Sequence, residues 1–167
     1  MSSEDPDRLL VVEPGGGQPL WVAGHRIMIK ATVEDTGGAF GLIESRAPVG
    51  AGPPLHIHHG VDESVWIVKG RVRWRCGERD FTAGPGFFLL LPREVPHTFL
   101  VVGDEEAVML GLLTPGGSER YFADIGEPAT PDGAPTPGPP DAEAVRTADN
   151  RWHTESVVGP PLSAEDG

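Results

Sequence analysis

Between Leu20 and Thr114 the chain is a series of short apolar runs cut by glycine, proline and polar turns. The clearest is Arg71-Val72-Arg73-Trp74-Arg75-Cys76, where three arginines alternate with Val72, Trp74 and Cys76. A period of two belongs to a β-strand with one wet face and one buried face. Gly77-Glu78 then closes a hairpin into Arg79–Ala83. The same reading predicts strands at Leu20–Val22, Arg26–Val33, Gly38–Ser45, Pro54–His59, Glu63–Lys69, Gly86–Leu91, His97–Val102 and Ala107–Thr114. Helical periodicity is absent throughout this stretch. Val65–Val68 and Phe87–Leu91 are apolar on both faces, as expected of strands with a barrel on one side and a second layer on the other. Trp66, Phe87, Phe88 and Phe99 accordingly read mostly as core, and the arginine stripe as a solvated or subunit-contact face.

After Thr114 the pattern changes. Gly126–Pro140 is rich in proline and glycine, a linker composition. Asp141 can cap a helix over Ala142–Arg151, with Trp152 as its large apolar anchor, and Tyr121–Ile125 predicts one more helical turn. The expected organisation is a flexible N-terminal arm over residues 1–18, a β-barrel over 19–116, and a loosely packed appendage over 117–167.

A chain of 167 residues can bury a core without staples. Many short strands separated by 23 glycines and 18 prolines describe an all-β sandwich or barrel. A net charge of −12 speaks against a nucleic-acid or anionic-membrane partner, since both attract basic faces. The single Cys76 cannot form an internal disulfide. No apolar run approaches the roughly 20 residues of a membrane span, and the first twenty residues lack the pattern of a secretory leader. The expectation is a soluble cytoplasmic protein.

The chemistry concentrates in two clusters. His56 and His58 stand two apart, so on a strand their side chains leave one face together. Gly60-Val61-Asp62 can reverse the chain and bring Glu63 opposite them. Pro92-Arg93-Glu94-Val95-Pro96-His97 adds a third imidazole directly after a turn. Three imidazoles and a carboxylate suit one divalent transition metal, Fe2+, Mn2+, Co2+, Ni2+, Cu2+ or Zn2+. Without thiolates a purely structural zinc site is not expected, and four protein ligands leave room on an octahedral ion for substrate. His59 has the wrong parity to join. Asp62 competes with Glu63, but Glu63 falls in register with Val65 and Ile67, whereas Asp62 reads as a solvated turn residue. His25 and His153 lie outside both clusters and read as ordinary histidines.

These clusters resemble the cupin family. Its first motif runs Gly, five residues, His-x-His, three or four residues, Glu, six residues, Gly, and Gly50, His56, His58, Glu63 and Gly70 meet every position. In the second, Gly86, Pro92 and His97 match. Glu94 stands where the family has a glycine, and Val101 where it has an asparagine. The resemblance implies a cupin double-stranded β-helix, a jelly-roll barrel with a short, partly helical C-terminal appendage.

Within that family the chain looks most like small single-domain quercetin-dioxygenase-like cupins. That likeness implies His56, His58, His97 and Glu63 as metal ligands, with Glu63 also the base that takes a proton from an enolisable small molecule before O2 reacts. It also implies a homodimer. Phe99 shares parity with His97, and Phe99, Met109 and Val65 are the expected substrate-pocket residues. Cupin folds host other chemistry, so a non-redox cyclase, isomerase or dehydratase and a non-catalytic binding protein are the alternatives.

Overall fold

The computed structural model describes residues 9–129 and 141–163. The rest of the expected N-terminal arm (1–8) and most of the linker (130–140) lie outside the described residues.

The chain opens with β1 (Gln18–Val22), β2 (His25–Ala31), a single helical turn α1 (Val33–Thr36) and β3 (Gly41–Ala47). It continues through β4 (Pro54–His58), β5 (Asp62–Lys69), β6 (Arg71–Cys76), β7 (Arg79–Ala83), β8 (Phe88–Leu91), β9 (His97–Val102) and β10 (Ala107–Thr114). Then come α2 (Glu119–Ile125), the short β11 (Glu127–Pro128), α3 (Ala142–Trp152) and β12 (Glu155–Pro161). Seven strands form one antiparallel sheet in the order β11-β1-β2-β3-β10-β5-β8, and five form the facing sheet in the order β12-β4-β9-β6-β7. The alternating runs predicted an all-β sandwich or barrel, and the two facing sheets form the jelly roll that the cupin resemblance implied.

Alternation decides what each sheet faces. Val65 and Ile67 of β5, Val72 and Trp74 of β6, Val101 of β9 and Met109 of β10 meet between the sheets as one buried cluster. Ile67 is fully buried, a contribution of about 1.5–3 kcal/mol for a side chain of that size. The arginines of β6 point outward as expected, and Arg73 and Arg75 both pair with Asp80 of β7.

Three expectations need correction. The strand expected over Gly38–Ser45 begins later, because Thr32 and Asp35 form a reciprocal capping box that ends β2 and winds α1. Trp66, Phe87 and Phe88 are half exposed or more, not core. Val65 and Ile67 take the inner face of β5, so period two sends Trp66 outward beside its cross-strand partner Phe88. The third concerns the C-terminal segment, which supplies a full strand. β12 is hydrogen-bonded along β4, with Glu155 opposite His58 and Val157 opposite His56.

The helices fall where capping residues permit. The Asp141 carboxylate accepts from the amides of Glu143 and Ala144 and starts α3. The α2 helix packs Phe122 and Ile125 on Leu20, Ile27 and Ile43. Its Glu119 is fully buried and accepts from the amides of Val33 and Gly117, both at 2.7 Å. Trp152 donates to Asp124 at 2.7 Å, fastening the end of α3 to α2.

Candidate metal centre

His56 and His58 project from the inner face of β4, and His97, first residue of β9, is the cross-strand partner of His56. These three come from the five-stranded sheet. Glu63 reaches across from β5 in the other sheet. One ligand atom from each of His56, His58, Glu63 and His97 lies within 4.8 Å of the other three. The imidazole centroids are 4.5–5.0 Å apart.

Backbone carbonyls set the ring orientations. His56 Nδ1 donates to Pro54 O at 2.8 Å and His97 Nδ1 to Val95 O at 2.9 Å, so each turns Nε2 inward. His97 Nε2 stands 3.5 Å and His58 Nδ1 3.7 Å from Glu63 Oε2. Both of those nitrogens are buried and have no hydrogen-bond partner. Orphaned lone pairs converging on a carboxylate are costly by themselves and are satisfied by a cation. The donor set therefore fits a divalent first-row ion, with no thiolate to narrow the choice.

The local electrostatics agree. Burial opposes charge on Glu63, yet His97, His58 and His56 outweigh it and hold the carboxyl below its usual range. Burial, helped by the neighbouring His58 and His97, pushes His56 down against the pull of Glu155, favouring the neutral ligand form. His58 differs: burial opposes its protonation too, but the carboxylates of Glu155 and Glu63 prevail and raise it.

The second motif keeps its turn without glycine. Glu94 adopts φ of 62°, in the left-handed region, and its carboxylate accepts from Gly60 N at 2.9 Å and His59 Nδ1 at 2.8 Å. His59 points away from the ion site, as parity requires, and its Nε2 accepts from Ser156 of β12. Val101 is simply buried between the sheets. Asp62 is more than a solvated turn residue. Its carboxylate accepts from the backbone and guanidinium of Arg93, which pushes it down to about 2 and ties the start of β5 to the turn before His97.

The four clustered residues open onto a cavity of about 490 Å³ that Val65, Phe99 and Met109 also line. Several contributors were not expected. His25 lines the cavity from β2, where it shares parity with the inward-facing Ile27 and Ile29, a signal the sequence does contain. The Glu155 carboxylate enters from β12, with Oε2 3.7 Å from His58 Nε2. Nothing in the run Glu155–Pro161 marks it, since its strand conformation comes from pairing with β4. Tyr121 and Phe122 of α2 and Val145 and Arg146 of α3 complete the wall.

A jelly roll that gathers three imidazoles and one carboxylate between its sheets is the architecture of a cupin. Residues 44–113 match the family model for the cupin domain, and that match supports a place in the cupin superfamily. Over 118 residues, 71% of its length, the chain is 27% identical to quercetin 2,3-dioxygenase of Bacillus subtilis (strain 168), and spans 35% of that protein. It is 33% identical over 89 residues, 53% of its length, to polyketide synthase CurC of Streptomyces cyaneus, and spans 56% of it. Among solved structures, a predicted oxalate decarboxylase from Thermotoga maritima superposes with a TM-score of 0.59 at 17% identity, over 63% of this chain and 98% of that one. That likeness concerns the fold. No described helix is long and apolar enough to cross a membrane.

Proposed function

We propose that the chain is a mononuclear metal-dependent enzyme that acts on an enolisable aromatic or polyketide-like small molecule, in the manner of a quercetinase-like dioxygenase. The observation that carries this reading is Glu63, an acid held ionised among three imidazoles in the wall of a largely apolar cavity. His56, His58, His97 and Glu63 would hold the ion. The ion would supply a Lewis acid and, where redox-active, a site for O2. Glu63 accepts the proton of the substrate enol or phenol. The strand pair β4–β9 fixes the imidazoles, and Val65, Phe99 and Met109 orient the substrate's apolar body and exclude water.

The likeness to CurC supports a second reading, a non-redox cyclisation or isomerisation of a polyketide-like enol with the same base. Oxygen uptake separates the two. Purified protein of known metal content is assayed on flavonols and 1,3-diketones with and without O2. Uptake coupled to substrate loss supports the dioxygenase, and turnover that persists anaerobically overturns it in favour of the second reading.

A cytoplasmic homodimer belongs to the same proposal. Trp66 and Val68 of β5 and Phe88 and Leu90 of β8 share the outer face of the seven-stranded sheet, each about half exposed. A contiguous apolar face of this kind is suited to a second copy.

A further inference from the structure

His25 is 7% exposed, and its Nε2 is buried without a hydrogen-bond partner. It lines the same cavity as the ion cluster but is not among the residues whose ligand atoms converge on one point. An ion at that cluster therefore accounts for the orphan atoms of His58 and His97 and leaves His25 unexplained. The His25 ring packs against Phe99, centroids 5.7 Å apart, and Phe99 packs against Trp74 at 5.0 Å. Trp74 also lines the cavity, and its Nε1, a donor only, is likewise buried and unpartnered. The same cavity wall carries the apolar Ile27, Ile43, Phe122 and Ile125, together with the hydroxyl-bearing Ser45.

Buried polar atoms are normally paired, and each one left unpaired is a cost that the fold tolerates where something else completes it. In a cavity open to a ligand, the completing atom belongs to the occupant. Trp74 can only give a hydrogen, so that atom is an acceptor. A neutral imidazole can give or accept, and burial pushes His25 down to about 4, which keeps it neutral near pH 7.

We propose that His25, seconded by Trp74, is a specificity-determining residue that hydrogen-bonds an oxygen of the substrate away from the atom deprotonated by Glu63. Resting on the reading above, this narrows the substrate to a planar, mostly apolar molecule oxygenated at two separated positions. One oxygen meets the ion cluster and the other meets His25. Phe99, between His25 and Trp74, offers the face on which a ring lies.

The test uses the full chain, incubated with a divalent transition metal, and two probes, 3-hydroxyflavone and fisetin, which share the enolic 3-hydroxyl and differ in peripheral hydroxyls. Binding is followed by quenching of tryptophan fluorescence, and metal content is measured alongside. The expected result is that wild type prefers fisetin by about 10-fold, the upper range for one neutral hydrogen bond. His25→Phe erases the preference while still binding 3-hydroxyflavone, and His25→Gln, which keeps a donor and an acceptor, restores part of it. A preference unchanged in His25→Phe means that water alone satisfies the imidazole and overturns the proposal. So does equal weakening of both probes in both variants, or failure of either probe to bind wild type. If wild type discriminates through His25 but holds no metal, the metal-enzyme reading falls and the recognition role stands.

Discussion

Glu155 Oε2 lies 3.7 Å from His58 Nε2 on the side of the ring opposite Glu63, so a single imidazole is flanked by two carboxylates from different sheets. A carboxylate behind a metal-binding imidazole fixes the ring and raises its basicity. Glu155→Gln is therefore expected to weaken metal affinity about 10- to 100-fold while leaving the barrel folded. Competition titration against a chelator measures it. An affinity equal to wild type would show that Glu155 does not act through His58.

Removing a ligand should be harsher. His56→Ala, His58→Ala or His97→Ala each deletes one of the four clustered donors, and metal content per subunit should drop sharply in each. His59→Ala should retain the ion, because its ring bonds Glu94 and Ser156 instead. Loss of metal in His59→Ala with retention in His58→Ala would reverse the assigned strand parity.

Glu63→Gln keeps shape and a weak oxygen donor but loses the basic carboxylate. Metal should be largely retained, and proton abstraction should fall by roughly 10²–10⁴-fold. Asp62→Asn serves as the control: its carboxylate is spent on Arg93, outside the cavity, and turnover should stay close to wild type. Comparable damage from both variants would mean that the wrong carboxylate has been named as base.

His25 makes stability depend on pH in a definite direction. Its folded value is about 4 against 6.5 when free, so the unfolded chain binds the proton first as pH falls. Stability contributed by the neutral ring is whole above pH 6.5 and declines between 6.5 and 4, by up to about 3 kcal/mol. His56 is lowered in the same direction, so the comparison of wild type with His25→Gln isolates the His25 share. Urea unfolding in chelator at pH 7 and pH 4.5 should show a smaller pH loss for the variant, and equal losses would count against a buried neutral His25.

The outer apolar face makes its own prediction. Trp66→Glu places a charge at the centre of the patch formed with Phe88 and Leu90. Light scattering should report a dimer for wild type and a monomer for the variant. A wild-type monomer at micromolar concentration would end the dimer proposal.

Much of the barrel could be read directly, because alternation is a local signal. Strands β6, β7, β9 and β10 fall at the residues their periodicity marks. His56, His58, Glu63 and His97 converge as their spacing implies, since strand parity and one turn suffice to place them. What escaped depends on long-range pairing. The run Ser156-Val157-Val158-Gly159-Pro160-Pro161 has neither alternation nor β-propensity at its end, yet it is a strand because β4 offers it a free edge. The outward turn of Trp66 was legible in principle. Its hydrophobicity argued for burial, and parity with Val65 and Ile67 decided otherwise.

The strand β12 and the helices before it have a consequence for how this protein can change. The four clustered donors lie between residues 56 and 97, whereas Tyr121, Phe122, Val145 and Glu155 come from a stretch that supplies none of them. All four clustered donors thus precede Thr114, whereas one part of the cavity wall follows it. Exchanges at Tyr121, Phe122 or Val145 would reshape that part of the chamber while the four clustered donors keep their strands and Glu155 keeps its place beside His58. Those three positions give a lineage, or an engineer, a way to reshape the chamber that is separate from the pair His25 and Trp74.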